Sequence, residues 1–166
     1  NCEAPNETDS CGTCSSCIKY ENIQHPDLNF FYPSAIGTAV KTQPTSRKLS
    51  KEWIEFLKCN EYFVMKDWVD HIGAGQKLAI INKYDSEDII KSISLKNFES
   101  KYKIVLIWWP ERMNIECSNK ILKVLEEPTP NTLFLLVGHH TDELLTTILS
   151  RVQIIKLGSL QPSEIK

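Results

Sequence analysis

Hydrophobic positions along the chain change their period several times, and each change predicts an element. Leu28, Phe30 and Tyr32 alternate with Asn29 and Phe31, a strand-like run closed by Pro33. Residues 34–50, rich in Thr, Ser, Lys and Pro, read as a mobile loop. From Ser50, a plausible N-cap, Trp53, Phe56 and Leu57 fall on one helical face. A second helix is expected from about Lys66 to Ile72, ending near Gly73. Leu78–Asn82 is a short strand candidate. Ser86 is read as the cap of a helix that turns Ile89, Ile90 and Ile93 inward, with Glu87 and Asp88 favouring its first turn.

From Ile104 onward the pattern becomes regular. Ile104–Trp108 is a continuous apolar run, as in a strand buried on both faces. Cys117, Ile121, Val124 and Leu125 recur at helical spacing, and Pro128 stops that helix. Leu133–Val137 is read as another buried strand, Asp142–Leu149 as a helix carrying Leu144, Leu145 and Ile148, and Val152–Leu157 as a final strand. Strand, helix, strand, helix, strand implies parallel pairing and a three-layer α/β fold.

Composition narrows the class. A chain of 166 residues that is 42% hydrophobic, with four Trp, can build one real core. A formal charge of −2 gives no footprint of a strong autonomous DNA binder. No apolar run approaches the ~18 residues of a membrane span, no signal-peptide pattern is present, and a cytoplasmic setting is expected. The chain opens on Asn1 rather than Met, and its last residues stop where another element would begin. It reads as an internal piece of a longer protein.

Four of the six cysteines crowd into the first 17 residues: Cys2, Cys11, Cys14 and Cys17, spaced C-x8-C-x2-C-x2-C. Four thiolates complete a closed tetrahedral zinc shell with no open position for water, so the expected role is structural. Two disulfides, which need an oxidising compartment, or free thiols are the alternatives.

Three motifs then carry a resemblance. NKILKVLEEPTPNTLFLLV followed by LLTTILSRV, with HPDL behind the four-cysteine module, resembles the clamp-loader ATPases of bacterial DNA polymerase III. The resemblance is weakest between residues 34 and 80. It implies an AAA+ P-loop-type parallel sheet lacking its N-terminal P-loop part, with an inserted zinc module at 1–24, an α/β core at 25–157 (34–80 variable and insertion-like) and the start of a lid at 158–166. That family contains motor subunits, gamma and tau, that hydrolyse ATP, and a delta prime kind that does not.

The departures from the motor pattern decide between the two kinds. Motor forms end the Walker B strand in an acidic pair, one carboxylate for magnesium and one to polarise the attacking water. Here that place is taken by Trp108 and Trp109, whose indoles have one N–H each and no acceptor. Glu111 lies beyond the strand end, at a family position that is not the metal ligand. Packing is the ordinary use of such a Trp pair. Gly138-His139-His140 replaces the small polar sensor residue; two adjacent His without a third ligand make a weak metal site. Ser150-Arg151 matches the family's serine–arginine motif. The resemblance implies that Arg151 reaches the neighbour's ATP as a trans arginine finger; by pattern alone it is an ordinary Arg at a helix end. Glu126-Glu127 before Pro128 sits unfavourably at a helix C-terminus, which hints at a basic partner.

The reading is therefore a non-catalytic, delta prime-like subunit with structural zinc and doubtful ATP binding. Its implied partners are the gamma/tau motor subunits and the delta subunit, with the sliding clamp and primed DNA reached through the complex. An active motor subunit and a zinc-dependent DNA-binding module are the rivals.

Overall fold

The structure, a computed structural model, describes residues 1–158. Three parallel strands form one sheet in the order β1 (Leu28–Phe31), β2 (Lys103–Trp108), β3 (Thr132–Val137). Phe31 lies beside Ile107, and Ile107 beside Leu136.

Helices cover both faces, as the alternation of side chains across a strand requires. On one face Phe31, Val105 and Ile107 pack against Ile89 and Ile93 of α4 (Lys83–Ser94), Cys117, Ile121 and Leu125 of α5 (Ile115–Glu126), and Ile148 of α6 (Thr146–Leu149). This side is aliphatic. On the other face Phe30, Leu106 and Trp108 meet Trp53 and Phe56 of α2 (Ser50–Cys59) and Trp68 of α3 (Met65–His71). This side is aromatic: Trp53 stacks on Tyr32 at 4.1 Å between ring centres and meets Trp68 edge-on at 5.1 Å. The expected three-layer α/β arrangement is present. α1 (Ser15–Glu21) belongs to the N-terminal cysteine segment.

Several local expectations are corrected. The loop at 34–50 is tied down: Ser46 Oγ accepts the Tyr32 N–H at 3.0 Å, the Ser46 N–H donates to Asp85 at 2.8 Å, and Leu49 is buried. Leu49, not Ser50, occupies the N-cap position of α2. Leu78–Asn82 makes two isolated bridges, Ser34 with Ile80 and Ile81 with Met113, rather than a strand. Asn82 caps α4 by accepting the Tyr84 N–H at 2.9 Å, while Ser86 is buried inside the helix and Ile90 is half-buried.

β3 is not buried on both faces. Phe134 and Leu136 face the aliphatic core, but Leu133, Leu135 and Val137 are exposed, because the α2–α3 layer ends over β1 and β2. The helix expected over 142–149 is a 3-10 turn at Thr141–Glu143 followed by the single turn of α6. Val152–Leu157 forms no strand: among the described residues no strand edge lies beside it to complete a hydrogen-bond ladder. The expected lid start lies, from residue 159 on, outside the described residues. Among the described residues no helix is long and apolar enough to cross a membrane.

Candidate functional site

The N-terminal segment folds around sulfur. Cys2, Cys11, Cys14 and Cys17 bring their Sγ atoms within 4.8 Å of one another, and none is in a disulfide. A tetrahedron with Zn–S bonds of about 2.3 Å has S···S edges near 3.8 Å; Cys11 and Cys17 stand 3.9 Å apart. The positive φ of Gly12 turns the chain between the first two clustered thiols of the C-x2-C pair. Backbone N–H groups point at the sulfurs: Cys11 N–H to Cys2 at 3.3 Å, Cys14 N–H to Cys11 at 3.3 Å, and Cys17 N–H to Cys14 at 3.4 Å. Hydrogen bonds from Thr13 and Cys14 hold the Cys11 thiol down to about 6, whereas burial pushes Cys17 up to about 11. The donor set fits a thiophilic ion such as zinc, closed to solvent ligands.

This segment is anchored to the sheet through residues to which the sequence reading gave no structural role. Tyr20 of α1 stacks on the buried His25 at 4.2 Å, and Lys19 pairs with Glu99 at 2.6 Å. His25 Nδ1 accepts the Asp27 N–H at 3.1 Å, which leaves its Nε2 to Ser100 Oγ at 2.9 Å. Burial would push the Asp27 carboxyl up, but the N–H groups of Glu99, Phe98 and Ser100 outweigh it and hold the group below its ordinary range. The His-Pro-Asp of the HPDL motif is thus a latch between the cysteine segment and the loop before β2. Its only signal in the sequence is the HPDL motif itself.

At the C-terminal end of β2 stands the pair Trp108 and Trp109. Trp108 is 7% exposed and packs against Trp53 and Phe63, both with ring centres 5.3 Å away. Its side chain belongs to the aromatic core. Trp109 adopts a left-handed backbone (φ 56°) and donates its N–H to Val137 O at 2.7 Å. Its ring lies 5.1 Å from that of His139 and under the Arg112 guanidinium at 5.7 Å.

Glu111 is the carboxylate of the turn that follows β2. Its Oε1 accepts the His139 N–H at 2.8 Å and the His140 N–H at 3.3 Å. It clips the turn after β2 to the turn after β3. A Cβ at position 138 would meet the Glu111 carboxylate and crowd Pro110 Cδ at 3.0 Å, so a larger residue there requires the carboxylate to shift. The His pair contributes backbone donors here, and the metal cluster found among the described residues is the cysteine one.

Arg151 lies just past α6, its N–H bonded to Ile148 O at 2.9 Å. Its guanidinium meets Glu126 at the end of α5: Nε donates to Oε2 at 3.2 Å and Nη2 to the same oxygen at 3.0 Å. Nη1 donates to Thr147 O at 2.8 Å and to Ser150 Oγ at 3.2 Å. The basic partner that the Glu126 position called for is Arg151. The cysteine cluster, the Trp pair and Arg151 remain three separate places.

A family model described as "DNA polymerase III, delta subunit" matches residues 1–161. The chain belongs to the DNA polymerase III delta subunit family. Its relatives include the protein named DNA polymerase III subunit delta' of Bacillus subtilis (strain 168), 25% identical over 156 residues, which cover 94% of this chain and 34% of that protein. The subunit delta' of Haemophilus influenzae is 39% identical over 71 residues, 43% of this chain and 22% of that one. The subunit delta' of Pseudomonas aeruginosa is 47% identical over 49 residues, 30% and 15% respectively. The chain therefore spans about a third or less of the length of these curated relatives. A crystal structure of a DNA polymerase III gamma subunit-related protein from Thermotoga maritima aligns with 49% of this chain and 28% of its own, at 28% identity and a TM-score of 0.48.

Proposed function

We propose that the chain is part of a non-catalytic, delta prime-like clamp-loader subunit that completes a neighbour's ATP site with Arg151 and has no hydrolytic site of its own. The observation that carries this reading is Trp108. Its indole fills the aromatic core at the strand end where a magnesium-binding carboxylate would have to stand. An indole neither binds a hard cation nor accepts a proton.

The chemistry left to the chain is donation. A guanidinium beside a neighbour's triphosphate neutralises charge that builds on the transferring phosphoryl group, and its planar fork does so with two parallel N–H bonds. Arg151 at the surface end of α6 is supported for that role by the family's serine–arginine motif. The four thiolates would hold zinc as a brace for the segment that α1, His25 and Asp27 fasten to the sheet. The partners of this reading are the gamma/tau motor subunits and the delta subunit, and through them the sliding clamp and primed DNA.

The test uses the full-length protein assembled with its motor subunits, clamp and primed DNA. Arg151→Ala and Arg151→Lys should each lower ATP turnover about tenfold or more, equivalent to about 1.4 kcal/mol of transition-state stabilisation, with assembly intact. Turnover equal to wild type in both variants would refute the finger role.

A further inference from the structure

Resting on the finger reading above, we infer that Glu126 is a regulatory residue: in cis it parks Arg151, and a neighbour's triphosphate must displace it before the guanidinium can act.

The donor count leads there. A guanidinium has five N–H bonds. Four are already directed inside the chain: Nε and one on Nη2 to Glu126, and both on Nη1 to Thr147 O and Ser150 Oγ. One N–H is left, and bidentate recognition of a phosphoryl group needs two parallel ones. The Nε–Nη2 edge becomes available for this when Glu126 leaves. Until then the carboxylate also cancels the positive charge that the phosphoryl group would meet and adds repulsion of its own.

Glu126 stands in a place that needs a reason. A carboxylate at the C-terminal end of α5 faces the negative end of the helix dipole, so the position is locally unfavourable. Its contact with Arg151 supplies the reason. The pair is also built to open: the Glu126 side chain is 59% exposed and that of Arg151 28%. Ion pairs with this much water around them are weak, so a multiply charged phosphate outcompetes one carboxylate. Glu127 forms no hydrogen bond or ion pair with Arg151 and serves as the matched control.

The experiment measures ATP turnover of the assembled full-length complex, idle and with clamp and primed DNA, for Glu126→Gln, Arg151→Ala, the double variant and Glu127→Gln. Glu126→Gln should raise idle turnover about threefold, in line with the strength of an exposed pair. The double variant should match Arg151→Ala, and Glu127→Gln should match wild type. Turnover unchanged or lowered by Glu126→Gln, while Arg151→Ala still costs tenfold, overturns the parking role and leaves the finger intact. A gain that persists in the double variant also overturns it, since the effect would not pass through Arg151. No loss with Arg151→Ala removes the finger itself, and the parking role with it.

Discussion

In the proposed reading the end of β2 and the end of α6 correspond to the two halves of one chemistry, and their side chains are held differently. At β2 Trp108 is absorbed into a cluster with Trp53 and Phe63. At α6 Arg151 lies part-exposed with its donors engaged by Glu126, Thr147 and Ser150. A side chain that serves its own subunit can be converted to packing once its task is gone. One that serves a neighbour has to stay polar and accessible. If Arg151 acts on a neighbour as proposed, the contrast teaches that in this α/β unit retention of the part acting outward, rather than inward, marks what the subunit is for.

The strongest way to break this comparison is to put a carboxylate back. Trp108→Asp should cost about 4 kcal/mol or more, since it opens a cavity in the aromatic layer and buries an unpaired charge. It should yield no ATP turnover by the isolated full-length subunit. Chemical denaturation and a phosphate-release assay check both parts; a well-folded variant that hydrolyses ATP would show that the strand end had kept a working site.

A second test asks whether the scaffold beneath the two ends loses stability as pH rises. Asp85 of α4 is buried and accepts the N–H groups of Ser46 and Asn82, yet burial pushes its carboxyl up to about 6. A group whose folded value is raised contributes stability below its unfolded value, near 3.8, and loses that contribution as pH rises through about 6. The stability of wild type relative to Asp85→Asn should therefore fall by about 2–3 kcal/mol between pH 3.5 and 7. Parallel pH profiles for the two proteins would contradict it.

The smaller effect is at Glu111. Glu111→Gln should destabilise by about 1–2 kcal/mol, as the two turn N–H groups lose a charged acceptor. ATP turnover of the assembled complex should change less than twofold if, as proposed, the carboxylate only clips strand ends. A tenfold fall in turnover at unchanged stability would move Glu111 into the catalytic half.

What the sequence made legible follows from where the signal is local. The period-two and apolar-run patterns placed β1 and β2, and helical spacing placed α2, α4 and α5, because each of these buries a continuous face. Cysteine spacing found Cys2, Cys11, Cys14 and Cys17 for the same reason: a ligand turn is a local object. The approach of Glu126 to Arg151 spans 25 residues, and that of Asp27 to Phe98 71. Pattern reading could sense only that Glu126 lacked a partner. The exposed side of β3 and the unpaired run after Val152 were missed because apolar content alone does not say whether a covering layer or a neighbouring strand is there. Ser86 lost the capping role to Asn82 because two good cap residues lie four apart, and the loop anchored by Asp85 selected the earlier one.

The measurement that tests the central claim most directly is the affinity of the assembled full-length complex for ADP–aluminium fluoride, a mimic of the transferring phosphoryl group, beside that for a non-hydrolysable ATP analogue. If Arg151 acts on the neighbour's transition state, Arg151→Ala should weaken the transition-state mimic about tenfold or more and the ground-state analogue less than threefold. Equal affinities of wild type and Arg151→Ala for the mimic would contradict a finger at Arg151 and leave both ends of the chain without a part in the chemistry.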